Sequence, residues 1–235
     1  WFAGHKQSTI FLDLDLYFGV AALNFDQDPG RGLIDALDNP ARVDGLFLER
    51  AVVKPVEHMS ILAAEAPIGT LGQQADGAIL HLCQALQESY TNLVMDLPRY
   101  MLGQQGDALQ AMTDIVLLTD LSLVGARDCI RTLGYLAKVA PKATVHIVQV
   151  RTSQAIDEVP LKDFENSIEH SIDFIMPHDP KTFMAAAKEG KMITDVAKGS
   201  KPAQMIVQLC RKIIREFDND GAASKKGWVN KIFAR

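Results

Sequence analysis

Six short apolar runs, rich in β-branched residues, constrain the fold more than any other feature of this chain. They are Thr9–Asp13, Met59–Ala63, Asn92–Asp96, Asp114–Thr119, Thr144–Val150 and Ile172–Met176. Most are continuous rather than alternating, the pattern of strands covered on both faces of a parallel sheet. Between them lie segments of helical periodicity. Asp76–Tyr90 places Ile79, Leu80, Leu82, Cys83 and Leu86 on one side, and Ser122–Lys138 places Val124, Ile130, Leu133 and Leu136 similarly. Pro202–Phe217 reads as a last helix with Ile206, Val207, Cys210, Ile213 and Ile214 inward. Strands alternating with helices predict right-handed βαβ units in a three-layer, Rossmann-like α/β fold with a mainly parallel sheet flanked by helices.

The 235 residues suffice for one large α/β domain, and no linker or internal repeat divides them. The expected domain runs over residues 1–217, with a basic tail over 218–235. A net charge of −5 does not call for nucleic acid, whose binding domains usually carry a concentrated basic face. Cys83, Cys129 and Cys210 form no zinc or CxxC spacing and read as reduced core thiols of a cytoplasmic protein. No apolar run approaches the ~18 residues of a membrane span.

Two strand ends carry acidic residues. Phe11-Leu12-Asp13-Leu14-Asp15 ends an apolar run in carboxylates two residues apart, which on a continued strand would share one face. In open α/β sheets, ligands bind at the carboxyl ends of the strands. There the pair either holds a magnesium-bound water and orients an attacking water, or caps a solvated turn. Asn92-Leu93-Val94-Met95-Asp96 ends in one aspartate, shortly before Pro98 stops the ladder. This is the form of a Walker B element, whose aspartate holds magnesium through water.

These residues resemble a known family. Leu12–Gly19 is similar to the switch segment of the CpaE/TadZ proteins, ParA/MinD-superfamily ATPases of tight-adherence (Flp) pilus assembly. The likeness continues through Arg31–Leu37, Arg42–Arg50, Ile61–Glu65 and Val94–Arg99. It extends to Arg127-Asp128, Pro160–Glu165 and Pro177–Pro180, in the family's order and spacing. The resemblance implies a P-loop nucleoside-triphosphatase fold and an ATP-switched homodimer. That dimer would localise and assemble pilus secretion machinery, with ATP and magnesium as cofactors and recruitment to the inner membrane or cell pole. Asp13 and Asp96 match the residues near the metal, and Asp15 matches the residue that positions the attacking water. Pro177 and His178 match the loop bordering the adenine.

Two departures accompany the likeness. The family's glycine-rich phosphate loop has no counterpart, and the expectation is a chain cut before or within its first helix. Gly4-His5-Lys6-Gln7-Ser8-Thr9 has suggestive letters, but no strand precedes it and it leads into a strand instead of a helix. These 235 residues are therefore expected to bind ATP weakly or not at all, whereas the intact protein is expected to be an ATPase. The family's adenine-reading Asn-Arg is replaced by Val148-Gln149-Val150-Arg151, so Gln149, Arg151 or main-chain groups must read the base.

His58, His81, His146 and His170 are scattered and read as surface or core residues. Ser122 fits a helix N-cap, and Arg127–Asp128 a helix-surface pair. In the tail, Trp228, Val229, Ile232 and Phe233 share a helical face among Lys225, Lys226, Lys231 and Arg235. That segment either packs on its own domain or contacts a membrane surface weakly. Two further readings remain beside the localisation ATPase: a non-catalytic scaffold of the same fold, and a partition ATPase that binds DNA nonspecifically.

Overall fold

The computed structural model describes residues 1–69, 77–150 and 159–219, with side chains through residue 214. The chain divides into two compact units. One comprises Trp1–Ala108 and Ala187–Lys191, the other Leu109–Ala186 and Met192–Arg235.

The first unit is built on β1 (Thr9–Asp13), β2 (Val53–Val56), β3 (Met59–Leu62) and β4 (Asn92–Asp96), in the order β2-β3-β1-β4. Strands β3, β1 and β4 run parallel, with Leu12 opposite both Leu62 and Met95. Ile10 and Leu12 are buried, and α1 (Gly32–Asp38), α2 (Gly45–Ala51) and α3 (Ala78–Ser89) contribute Leu33, Leu37, Leu48, Ile79 and Leu82 to the buried core. A side chain at Gly32 would meet the Ala51 Cβ at 2.5 Å, so α1 and α2 approach as closely as glycine allows. Burial pushes the Cys83 thiol up to about 12, which keeps it protonated and inert.

Strand β2 was not expected from the sequence. It is antiparallel to β3, lies at the sheet edge and alternates between half-buried and exposed residues. Lys54 and Pro55 interrupt its apolar pattern, and both suit an edge, where an unpaired ladder needs protection.

The second unit is built on β5 (Asp114–Thr119), β6 (Thr144–Val150) and β7 (Phe174–Met176), all parallel in the order β5-β6-β7. Helices α5 (Leu123–Val139) and α6 (Leu161–Ile168) pack through Cys129, Leu133, Phe164 and Ile168 against Ile147 of β6. Short α4 (Gly106–Gln110) precedes β5, and α7 (Pro180–Lys188) follows β7. Helix α8 (Ile193–Val196) then leads to α9 (Lys201–Asn219), and Ala186, Ile193 and Ala203 pack together.

Several expected boundaries shift. The runs Met59–Ala63 and Ile172–Met176 shorten to β3 and β7 because Ala63, Ile172 and Asp173 leave the ladders. Helix α9 extends through Asn219, two residues into the expected tail, and residues 220–235 lie outside the described part. The expected inward face of α5 is corrected. Val124 and Ile130 are exposed, because the buried stripe is instead Ala126, Cys129, Leu133 and Leu136. The Ser122 hydroxyl does cap this helix, accepting the Gly125 amide at 2.9 Å.

Among the described residues, no helix is long and apolar enough to cross a membrane.

Candidate functional site

Parallel pairing of β1 and β4 places Asp13 directly opposite Asp96 at the carboxyl ends of both strands. The chain leaves the strand immediately afterwards. The Leu14 amide still reaches the Asp96 carbonyl at 3.0 Å, but the Leu16 amide turns back to the Leu14 carbonyl at 3.0 Å. Asp13 drives this turn, its Oδ1 accepting the Asp15 amide at 3.1 Å, an aspartate turn of the usual kind. The expectation that Asp13 and Asp15 share a strand face is therefore corrected: Asp15 lies on the turn that Asp13 organises.

The turn closes into a compact loop. Asp13 Oδ2 accepts the Ala21 amide at 3.1 Å, eight residues on. The Asp15 carbonyl accepts the Gly19 amide at 2.7 Å, and Asp15 Oδ1 accepts the Phe18 amide at 3.2 Å. Asp13 is almost wholly buried, with both oxygens held by main-chain donors. Gly19 packs against it so closely that a Cβ would lie 2.5 Å from Asp13 Oδ2. Sequence reasoning gives Gly19 no role of its own; only the folded loop shows why that position has no side chain.

Electrostatics tie the three carboxylates together. Partial burial at the strand end raises the Asp96 carboxyl above its ordinary 3.8, and the negative charges of Asp13 and Asp15 add to the rise. Tyr100, in the turn after β4, is raised likewise by burial, then by Asp15 and Tyr17. Such an accumulation of negative charge favours a bound cation. Among the described residues, no group of three or more His, Cys, Asp or Glu side chains is arranged to hold a metal by itself. Asp13 and Asp96 fit instead the sites magnesium usually takes, with one or two carboxylates and water completing the shell.

Gly4 lies in a single 3-10 turn, Ala3–His5, and Thr9 opens β1, so Gly4–Thr9 does not form a loop leading into a helix.

The second unit holds the residues assigned to a base. Gln149 lies in β6, opposite Thr119 and Ile175, and is almost fully buried. Pro177 directly follows β7 and lines an open groove of about 440 Å³ with Ile175, Lys201, Gln204, Met205 and Gln208. His178 is half-buried beside it. The Asp179 carboxylate serves its own helix, accepting the Thr182 amide at 3.2 Å and hydroxyl at 2.6 Å where α7 opens at Pro180. Those hydrogen bonds hold its carboxyl below the ordinary 3.8. Arg151 lies outside the described residues.

Two polar anchors of this unit were not read from the sequence. Fully buried His146 places Nε2 2.8 Å from Asp114 Oδ1, joining β6 to β5. Asp173 Oδ2 accepts the Ile147 amide at 2.7 Å while Oδ1 pairs with Lys212 of α9 at 2.5 Å. Burial alone would raise Asp173, but the Lys212 and Ile147 hydrogen bonds outweigh it and hold the carboxyl below 3.8.

No protein-family model matches the sequence, and no curated protein matches it. Solved structures do. A ParA family ATPase from Chlorobium tepidum superposes with a TM-score of 0.76 at 16% identity, over 86% of this chain and 84% of that one. The cell-division ATPase MinD of Pyrococcus furiosus gives 0.73 at 19% identity, over 91% and 88%. MinD of Pyrococcus horikoshii, complexed with Mg-ADP, gives 0.74 at 17% identity, over 94% and 89%. The architecture is thus an α/β fold of mainly parallel sheets flanked by helices. More particularly, it is the fold of the ParA/MinD P-loop ATPases.

Proposed function

We propose that this chain is the core of a magnesium-dependent, ATP-switched localisation factor of the CpaE/TadZ type, which assembles tight-adherence pili as a homodimer. The observation that carries the reading is Asp13 opposite Asp96 on adjacent parallel strand ends, with Asp15 on the next turn. Bound magnesium would neutralise charge that develops on the transferred phosphoryl group. Asp96 and Asp13 would hold that ion through water, and the main-chain donors to Asp13 keep its oxygens fixed. Asp15 orients the attacking water from the turn. By the sequence likeness, Pro177 and His178 are the residues assigned to the base, as are Gln149 and Arg151 in place of the family's adenine-reading pair.

The Mg-ADP bound to the Pyrococcus horikoshii protein supports nucleotide and metal as ligands. The MinC:MinD complex of Aquifex aeolicus supports action through protein partners. The pilus assignment rests on the ordered sequence likeness from Leu12 to Pro180. One observation favours the alternative of a non-catalytic scaffold: Gln149 is buried in β6 rather than presented to a ligand.

Magnesium-dependent ATP hydrolysis by the natural protein tests the reading. Asp15→Ala should lower turnover by roughly a hundredfold while nucleotide still binds, the size usual for a positioned proton-transfer or water-orienting group. Absence of hydrolysis in the natural protein would leave the scaffold as the function, and a wild-type rate in the variant would remove Asp15 from the reaction.

A further inference from the structure

Strand β5 has the sequence of a strand inside a sheet but stands at an edge. The order in the second unit is β5-β6-β7, and among the described residues β6 is the strand that pairs with β5. From Ile115 to Thr119 it carries no charge and no proline, and its register to β6 runs without a shift. Edge strands are normally protected against further pairing by charge, proline or brevity. Strands β2 and β7 are protected in this way: β2 carries Lys54 and Pro55, and β7 has three residues. Strand β4, an edge of the first sheet, lacks such protection like β5, since Leu93-Val94-Met95 is apolar and half-buried. One face of β5 is open as well. Val116 and Leu118 are 39% and 63% exposed. Their partners across the ladder, His146 and Val148, share that face and are buried. Cover on this face therefore stops between β6 and β5. The opposite face is covered, with Leu117 packed on the cluster around Phe164 and Cys129.

The open edge and the open face together select the occupant. A parallel strand with its crossover helix fills both, because parallel sheets carry their helices on their faces. A lone extended peptide would fill the edge and leave Val116 and Leu118 in water. The crossover alone takes about a dozen residues or more. Residues 70–76 and 151–158 are too few for it. Residues 220–235 are broken by Lys225, Lys226, Lys231 and Arg235 and cannot supply the continuous apolar run that a doubly covered strand needs. We infer that the edge and open face of β5 take a parallel apolar strand with its crossover helix, supplied by a segment of the natural protein outside these 235 residues. The inference rests on the second sheet alone and not on the nucleotide reading.

Matched substitutions in the 235-residue chain and in the natural protein test it. Leu118→Lys should shift the melting temperature of the 235-residue chain by less than about 2 °C, as an exposed substitution does. In the natural protein the same change would bury an unpaired charge and should lower the melting temperature by at least roughly 5 °C. Val56→Lys, on the protected edge strand β2, should shift both proteins equally and so controls for a general difference in stability. Hydrogen exchange gives a second readout. The β5 amides that point away from β6 should exchange at least roughly tenfold more slowly in the natural protein. Equal tolerance of Leu118→Lys, or equal exchange at those amides, overturns the proposal, as does a natural protein with no polypeptide beyond these residues. A dimer of the 235-residue chain that protects the same amides, with no further protection in the natural protein, would give the edge to a second copy and overturn it too.

Discussion

Gly19 and Asp13 touch so closely that a methyl group on the glycine would lie 2.5 Å from Asp13 Oδ2 and equally near the Asp15 carbonyl. Both obstacles are fixed, one by the Ala21 amide and the other by the Gly19 amide itself. Gly19→Ala should therefore destabilise the chain by about 1–3 kcal/mol, the usual range for overpacking. Chemical denaturation checks this, and a magnesium titration should show weaker binding because Asp13 is displaced.

Asp96 titrates above the ordinary carboxylate value, so its ionisation costs native stability. The native state holds this proton more tightly than the unfolded chain. Stability from this group is thus greatest at low pH and declines as pH rises from 3.8 through the raised native value. Without magnesium, Asp96→Asn should be neutral or stabilising at pH 7 in thermal melts. With magnesium, the wild type should gain melting temperature and the variant should not.

Asp173 behaves oppositely. Its carboxyl is held low, so its contribution is fully present above 3.8 and is lost as pH falls through the lowered native value. Removing its lysine partner by Lys212→Met should cost about 1–2 kcal/mol at pH 7, discounted for the partial exposure of the lysine. Melts repeated at falling pH should show the difference from wild type shrinking below that range.

Ser122→Ala removes the acceptor for the Gly125 amide and should cost about 1 kcal/mol. Urea unfolding measures it. Ser122→Asn should retain most of the stability, since asparagine caps equally well and can still donate to the Asp120 carboxylate that Ser122 meets at 2.6 Å.

The strands of the parallel sheets were legible because burial on both faces demands continuous apolar runs, and β1, β4, β5 and β6 lie where those runs stand. Strand β2 was not, because an edge strand needs no such run and Lys54-Pro55 reads locally as a breaker. Asp13 and Asp96 were legible as strand-end carboxylates. The turn that carries Asp15 off the strand was not, because it depends on the Asp13 side chain capturing the Asp15 amide.

Helix α5 shows the same division. Its periodicity announced a helix and Ser122 announced its start, but apolar residues stand on more than one side of it, and Val124 and Ile130 lie on the exposed side. Periodicity reports that a helix has an apolar side; the neighbours it packs on decide which side that is. By itself, then, the amino-acid order determined the α/β class, the parallel strands and the acidic strand ends, since all three follow from short-range patterns of burial and charge. Tertiary structure alone decided the register that sets Asp13 against Asp96, the loop closure that excludes a side chain at Gly19, and which side of α5 is buried, since each depends on contacts that no local pattern of burial or charge encodes.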